Sequence, residues 1–305
     1  MSIDEAKQTL APPAVARGPL VAPARGKVNS PQLFFASVSQ LVLAAWALVV
    51  IFPLVWMVIT AFKTDREIFF SPWKWPAVLQ WSNFDRAWTQ ASIGHYFLNT
   101  IIVVGASVFL TLLFSSMAAY VLSRFDFPGN RFIYYLFLAG LMFPVFLALV
   151  PLFFVVKDLH MIGTYQGLIL VYTAYSLPFS IFFLTSFFKS LPSEVAEAAI
   201  IDGASQYRVF FNIMLPMAQP GLVAIGIFNV LGQWNQFILP LVLNPNPGRY
   251  VLSQGLAFLA IQQGYDSDWS ALFAALTITM IPTLIVYILF QRRVQEGMTA
   301  GALKG

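Results

Sequence analysis

Six apolar stretches separated by shorter polar segments form the main pattern of the chain. They cover residues 40–62, 96–122, 132–156, 165–188, 217–243 and 269–290. Each is near or above the roughly 20 residues that an α-helix needs to cross about 30 Å of hydrocarbon. Five of the six contain proline, which predicts kinks, because neighbouring membrane helices can bond the carbonyls that proline leaves free. The pattern predicts an all-α membrane protein with six transmembrane helices.

The polar segment at 189–216, between the fourth and fifth stretches, is too charged to enter lipid. It carries Lys189, Glu194, Glu197, Asp202 and Arg208. A charged side chain at the centre of a membrane helix costs about 2.5–3.5 kcal/mol, so five oppose insertion by on the order of 15 kcal/mol. We therefore expect a folded loop that stays in water.

Local signals predict two short helices in this loop. Ser193 is the expected N-cap of the first helix, and Gly203 is its expected left-handed stop. The second helix begins at about Ser205, and side chains at helical spacing predict one apolar stripe made of Tyr207, Phe210, Phe211 and Met214. Pro216 falls in the first turn of the next membrane helix, where proline is tolerated. An amphipathic loop resting on lipid headgroups is the plainer alternative.

Composition supports a membrane protein and argues against an enzyme. Of 305 residues, 59% are apolar and 10% charged, whereas a soluble domain has about 25% charged residues. The chain has no cysteine, which excludes disulfides and thiolate chemistry. The only Gly-Lys pair, Gly26-Lys27, lacks the upstream glycine of a phosphate-binding loop. His95 and His160 have no partner at metal-ligand spacing. We expect no catalytic residue, metal site or ATPase activity in this chain.

Basic residues predict the orientation. With the N-terminus inside, eleven Lys and Arg residues fall on the cytoplasmic side and six outside. This bias favours cytoplasmic N- and C-termini and a cytoplasmic loop at 189–216. Residues 1–31 are predicted to be a disordered cytoplasmic tail, 32–91 the first helix and an outer loop, 92–291 the transmembrane core, and 292–305 a cytoplasmic tail whose composition indicates disorder.

Tryptophans concentrate in the predicted outer loop. They are Trp73, Trp75, Trp81 and Trp88. Tryptophan is enriched at membrane–water interfaces, so interfacial anchoring is the first expectation. Contact with an extracytoplasmic partner is the alternative.

The predicted membrane stretches contain essentially no ionisable side chain. Proton- and sodium-coupled carriers keep such groups as relays, so the energy for transport is expected to come from outside this chain. Neutral polar groups concentrate in the fifth stretch, and the candidate pathway residues are Asn229, Gln233, Trp234, Asn235 and Gln236. Amides beside an aromatic ring suit the hydroxyls and the apolar face of a sugar. Hydrogen bonding between helices is the alternative.

Several segments resemble one transport family. The loop reads Glu197-Ala198-Ala199, then Asp202-Gly203-Ala204, then Ile213-Met214-Leu215-Pro216. This resembles the EAA loop of permease subunits of binding-protein-dependent ABC importers. The W-N-x-F stretch at 234–237 and the ending G-M-T-A-G-A-L-K-G at 297–305 are similar to those of maltose-type carbohydrate permeases. The turn at 124–131 also resembles an R-F-x-F-x-G stretch of that family.

The resemblance implies a type I ABC importer permease fold with six transmembrane helices. Residues 189–216 would be a cytoplasmic coupling helix pair between helices 4 and 5, seated on an ATPase. The coupling residues implied are Glu197, Ala198, Ala199, Asp202, Gly203, Ile213, Leu215 and Pro216. Glu197 and Asp202 are expected to make polar contacts, the alanines to allow close approach, and Gly203 to set the turn.

The resemblance also implies the partners and the function. The partners would be a second homologous permease, two cytoplasmic ATPase subunits, an extracytoplasmic solute-binding protein and membrane lipid, with no nucleic acid. ATP and Mg²⁺ would bind to the ATPase, so no cofactor is expected in this chain. The function implied is ATP-driven import of a mono- or oligosaccharide across a prokaryotic plasma membrane. A secondary carrier or facilitator without an ATPase, and a membrane scaffold that transports nothing, are the two alternatives.

Overall fold

The computed structural model describes the backbone of residues 30–262 and 268–302, and these two ranges contain helices and no strand. The α-helices in chain order are α1 (Ser30–Thr60), α2 (Asp65–Phe70), α3 (Ser82–Asp85), α4 (Ile93–Arg124), α5 (Asn130–Met142), α6 (Val145–Asp158), α7 (Tyr165–Ser190), α8 (Glu194–Ile201), α9 (Gln206–Val209), α10 (Leu215–Met217), α11 (Gln219–Trp234), α12 (Ile238–Leu243), α13 (Leu252–Gln262) and α14 (Trp269–Ala302). Wider π-helical turns cover Arg86–Gln90 and Phe210–Met214.

The chain divides into two units, residues 1–53 and 54–305. The described part of the first unit is the beginning of α1. Its side chains from residue 37 to 53 are exposed although most are apolar. A helix that is apolar on every side needs apolar surroundings, such as lipid or the core of a larger assembly.

Helices α4 and α7 form the centre of the second unit and run in the same direction. Their C-terminal turns meet in a cluster of buried side chains, here called the C-terminal cluster, made of Ala119, Tyr120, Leu184, Phe188, Val209, Phe210, Met214, Ala218 and Ile225. Their opposite ends meet in the N-terminal cluster, made of Val103, Val156, Leu168, Val171, Tyr172, Leu239, Leu243 and Val251. Because α4 and α7 are parallel, the chain between them must return from the C-terminal to the N-terminal end.

One predicted membrane stretch is bent sharply in its middle, because helices α5 and α6 meet at 106°. A second bend, of 72°, lies between Gln206–Met217 and Gln219–Trp234, where the charged segment joins the fifth predicted stretch. At the first bend Pro144 directly precedes α6, and Phe143 before it is extended, as steric clash with the proline ring favours. Among the described residues, four helices are long and apolar enough to cross a membrane, or up to six if each bent pair is one span.

The two clusters indicate that α5 with α6, and α11 with α12, each run from one end of the second unit to the other. Val156 of α6 lies in the N-terminal cluster, so α5 and α6 together span the unit. Ile225 of α11 lies in the C-terminal cluster, and Leu239 of α12 lies in the N-terminal cluster. The fifth predicted stretch therefore crosses as two helices, and the prediction of one continuous helix over 217–243 is wrong.

The two predicted tails have different outcomes. Residues 1–29 lie outside the described residues. At the other end α14 continues to Ala302, so the disorder predicted from composition is wrong for residues 292–302. The last three residues lie outside the described part.

Polar contacts fix the loop between α1 and α4 at the N-terminal end of α4. Arg86 forms a bidentate ion pair with Asp268, with Nε 2.7 Å from Oδ2 and Nη2 3.0 Å from Oδ1. The hydrogen bond from Arg86 lowers the pKa of Asp268. The buried Lys63 ammonium donates to the carbonyl of Pro72 at 2.7 Å, and desolvation lowers the pKa of Lys63.

This fixed loop presents indole rings to its surroundings. Trp73, Trp75, Trp81 and Trp88 are all exposed. Trp88 is the least exposed of the four, at 44%, and also packs against Phe97 with ring centroids 5.8 Å apart. Interfacial anchoring of the exposed rings stays a prediction.

Candidate functional site

The charged segment at 189–216 folds as two short helices, as predicted. Helix α8 is followed by α9, which continues through the π-helical turn into α10. The Ser205 hydroxyl accepts from the backbone N–H of Arg208 at 3.4 Å, at the predicted start of the second helix. Ser193 precedes α8 but makes no capping hydrogen bond. Ser193 therefore occupies the predicted N-cap position, but its backbone is already helical (φ −74°, ψ −28°), whereas a capping residue is typically extended, and its hydroxyl does not cap the helix.

Gly203 ends α8 in the left-handed conformation that the sequence predicts, with φ +84°. Its N–H donates to the carbonyl of Ile200, and the N–H of Ala204 donates to that of Ala199, both at 2.9 Å. This pair of bonds is the Schellman arrangement that closes a helix on a glycine. A Cβ at Gly203 would meet nothing within 4 Å. Backbone conformation, and not lack of space, therefore requires glycine here.

The predicted apolar stripe of the second helix divides between two faces. Phe210 and Met214 are buried in the C-terminal cluster, whereas Tyr207 is 78% exposed and Phe211 is 44% exposed. The physical reason is the π-helical turn over 210–214, which has more residues per turn than the regular spacing assumes. The prediction of one apolar stripe is wrong.

The predicted coupling residues also lie on two sides. Glu197, Ala198, Asp202, Gly203 and Pro216 are exposed, whereas Ala199, Ile213 and Leu215 are partly buried against the C-terminal cluster.

The exposed side of this helix pair presents acidic and apolar groups together. Glu197 lies in the first turn of α8, and Asp202 follows its last residue. Neither carboxylate forms an ion pair within the described part of the chain. Between them, Ile201 is 86% exposed, a feature that the sequence analysis does not single out. Its one available signal is an apolar residue directly before an Asp-Gly turn.

A cavity of about 370 Å³ lies among α5, α7 and α11. Asn229, Gln233 and Gln236 from the predicted pathway line it. Trp234 does not. Its ring packs edge-on against Phe97 at 5.5 Å, on another side of α11.

The fifth predicted pathway residue, Asn235, also has no place in the cavity wall. Its side chain is exposed, and its amide donates to the carbonyl of Leu231 in its own helix at 2.8 Å. Three of the five predicted pathway residues therefore share one site.

The buried amides bond to neighbouring helices while they line the cavity. Gln233 accepts from the hydroxyl of Ser107 on α4 at 2.5 Å and donates to that of Ser176 on α7 at 2.9 Å. Asn229 donates to the hydroxyl of Ser180 on α7 at 2.9 Å. The helix–helix alternative is thus correct for both amides. It does not exclude the pathway role, because both side chains also face the cavity.

Helix α7 supplies cavity residues that the sequence analysis does not select. Tyr172, Tyr175 and Ser176 line the cavity. Tyr172 is 2% exposed, and its buried hydroxyl has no hydrogen-bond partner among the described residues. Positions 172, 175 and 176 fall at i, i+3 and i+4, the spacing of one helical face, and this spacing was the available signal. The cavity wall thus combines amides, hydroxyls and aromatic rings without an ionisable acid or base of the Asp, Glu, Lys, Arg or His type.

Comparison with known proteins identifies related chains. The family described as "Binding-protein-dependent transport system inner membrane component" matches residues 111–300. The diacetylchitobiose uptake system permease protein NgcG of Streptomyces coelicolor is 51% identical over 270 residues, which cover 88% of this chain and 89% of that protein. The trehalose/maltose transport system permease protein MalG of Thermococcus litoralis is 33% identical over 263 residues, covering 85% and 93%. The predicted resemblance is confirmed.

A solved structure shares the fold. A chain from the crystal structure of a bacterial ABC transporter involved in the import of the acidic polysaccharide alginate superposes with a TM-score of 0.76 at 20% identity. The match covers 87% of this chain and 98% of that chain. The likeness confirms the predicted importer permease fold.

Replacing Gln233 with leucine tests the structural part of its role. The change removes the two bonds that Gln233 makes to Ser107 on α4 and Ser176 on α7. We expect the free energy of unfolding to fall by about 1 kcal/mol, because a polar contact between membrane helices contributes about 0.6 kcal/mol on average. Reversible unfolding in mixed micelles measures this. Asn235→Leu is the matched control, since its amide bonds only within α11. Equal effects of the two changes would contradict the assignment.

Proposed function

The chain belongs to the family of binding-protein-dependent transport system inner membrane components, and on that premise we propose that it conducts an oligosaccharide through an ABC importer. It is an integral membrane transport subunit and not an enzyme. The family implies in general an ATPase and a solute-binding protein as partners. The observation that supports the substrate class most strongly is 51% identity to a diacetylchitobiose uptake permease over 88% of this chain.

The proposed solute is an uncharged di- or oligosaccharide that carries acetamido groups, with diacetylchitobiose as the first candidate. Its hydroxyls and amides need hydrogen-bond donors and acceptors, and its pyranose faces suit aromatic rings. The cavity offers Asn229, Gln233 and Gln236 as polar groups and Tyr175 as a ring. Neutral groups in the wall avoid the cost of desolvating a charge that the solute could not pair.

The proposed coupling element is the helix pair α8–α10. Its exposed side would sit on a cytoplasmic ATPase subunit, with Glu197 and Asp202 in polar contact and Ala198 and Ile201 in close packing. Its buried side joins α4 and α7 through the C-terminal cluster. Closure of the ATPase dimer on ATP and Mg²⁺ would therefore move α4 and α7, and alternating access would follow as rocking of helix bundles.

The proposed assembly has one further permease subunit homologous to this chain, two ATPase subunits and an extracytoplasmic binding protein. The termini and the helix pair would face the cytoplasm of a prokaryotic cell, with lipid around the spans. The relatives named above are described as permeases of transport or uptake systems. Neither the carrier nor the scaffold alternative gains support from them.

Reconstitution tests the function. The complete complex in proteoliposomes, with its binding protein outside and ATP inside, should import diacetylchitobiose and hydrolyse more ATP when that solute is present. Maltose and omission of the binding protein are the controls. Uptake that continues without the ATPase subunits would favour a carrier. Absence of any solute-dependent hydrolysis would favour a scaffold.

Gly203→Val tests the coupling element. Valine in the left-handed region is strained, and a cost of about 1–2 kcal/mol changes the population of the native turn by a factor of about 5–30. We expect normal amounts of membrane-inserted complex, with solute uptake per hydrolysed ATP reduced by about that factor. Gly105→Val on α4 is the control, because that site is equally open but has no positive φ. Normal uptake in Gly203→Val would contradict the assignment.

A further inference from the structure

The turn between α4 and α5 lies at the base of the helix pair. Arg124, the last residue of α4, donates from Nη2 to the carbonyl oxygen of Phe188 at 2.8 Å and to that of Leu191 at 2.7 Å. Phe188 is in the last turn of α7, and Leu191 directly follows that helix. The Arg124 guanidinium therefore bonds to the backbone where the chain passes from α7 to the helix pair.

The chemistry of helix ends explains this contact. The last four carbonyls of an α-helix have no partner within the helix, and the C-terminus carries about half a negative charge. A cation placed there is favourable, and hydrogen bonds from a charged donor are roughly twice as strong as neutral ones. Arg124 itself ends α4, so its charge lies near the C-termini of two helices.

Further contacts fix the rest of the turn beside the C-terminal end of α4. Phe125 packs edge-on against Tyr120 at 5.7 Å, and Tyr120 lies 5.0 Å from the ring of Phe210 in the helix pair. Gly129 adopts φ +93°, and the Asn130 amide donates to the carbonyl of Phe125 at 2.6 Å. These contacts give the R-F-x-F-x-G stretch a structural role beside the coupling element.

Residues 191–193 link α7 to the helix pair. Leu191 is extended, with φ −76° and ψ 145°, and α8 starts three residues later at Glu194. Such a linker can act as a hinge unless something fixes it. Arg124 bonds to the carbonyl of Leu191 within this linker.

We propose that Arg124 is a positioning residue that makes the helix pair move as one body with α4 and α7. This inference rests on the proposed coupling function. Arg124 is not one of the residues that line the cavity, so its proposed role is in positioning the helix pair. Without Arg124, movement of the ATPase would bend the linker at residues 191–193, and less of that movement would reach the membrane spans.

Arg124→Met in the complete complex tests the proposal by transport. We expect solute imported per hydrolysed ATP to fall by about tenfold, equivalent to about 1.4 kcal/mol of lost coupling. Arg131→Met is the matched control, because it removes an exposed cation from the same region and should leave the ratio unchanged. Arg124→Lys keeps a charged donor at this site and should give a ratio between those of the wild type and Arg124→Met. If Arg124→Met does not assemble, this second variant carries the test.

A distance measurement separates positioning from general stability. The chain contains no cysteine, so Val121→Cys on α4 and Gln206→Cys on α9 supply its only two thiols for spin labels, and the partner subunits are used as cysteine-free variants. Double electron–electron resonance on the assembled complex measures the distance between the two labels. It should give one narrow distance distribution when Arg124 is present and a broad one with Arg124→Met. A narrow distribution in that variant, or an unchanged transport ratio, would overturn the proposal. Failure of the proposed function would instead appear as absent solute-dependent hydrolysis in the wild-type complex.

Discussion

The burial of Phe210 and Met214 against the ends of α4 and α7 joins two parts of the chain with opposite solvation requirements. Charged residues keep α8–α10 out of hydrocarbon, and apolar surface keeps α4 and α7 within it. The C-terminal cluster holds these parts together with fully buried side chains, including Leu184, Phe188 and Met214. Close packing transmits displacement because such an interior has few voids and low compressibility. The proposed route from the ATPase to the spans depends on this contact.

The cavity has a second requirement, because its wall must offer polar groups to a solute without carrying charge. Gln233 and Asn229 bond to hydroxyls on neighbouring helices, so their burial is largely compensated. The same side chains line the cavity together with Tyr172, whose buried hydroxyl has no partner within the described ranges. One set of residues can therefore fix the helix positions and present polar groups. The described residues that line the cavity include no Asp, Glu, Lys, Arg or His.

Sequence reasoning succeeds here where one residue type is required by local physics. Gly203 was predictable because few other residues adopt a left-handed backbone at low cost, and the charged loop because lipid excludes charge. It fails where tertiary packing decides. The π-helical turn over 210–214 separates Tyr207 from Phe210, and Trp234 turns toward Phe97 instead of the cavity. The helix through residues 292–302 likewise contradicts its small-residue composition.

The single measurement closest to the central claim is cross-linking from the exposed side of α8. A cysteine at Ala198 would be the only thiol in this chain, and a short bifunctional reagent can link it to a neighbour in the assembled complex. We expect a cross-link to the ATPase subunit and protection of this thiol from impermeant reagents added outside intact cells. Labelling from outside, or no cross-link to any subunit, would contradict it.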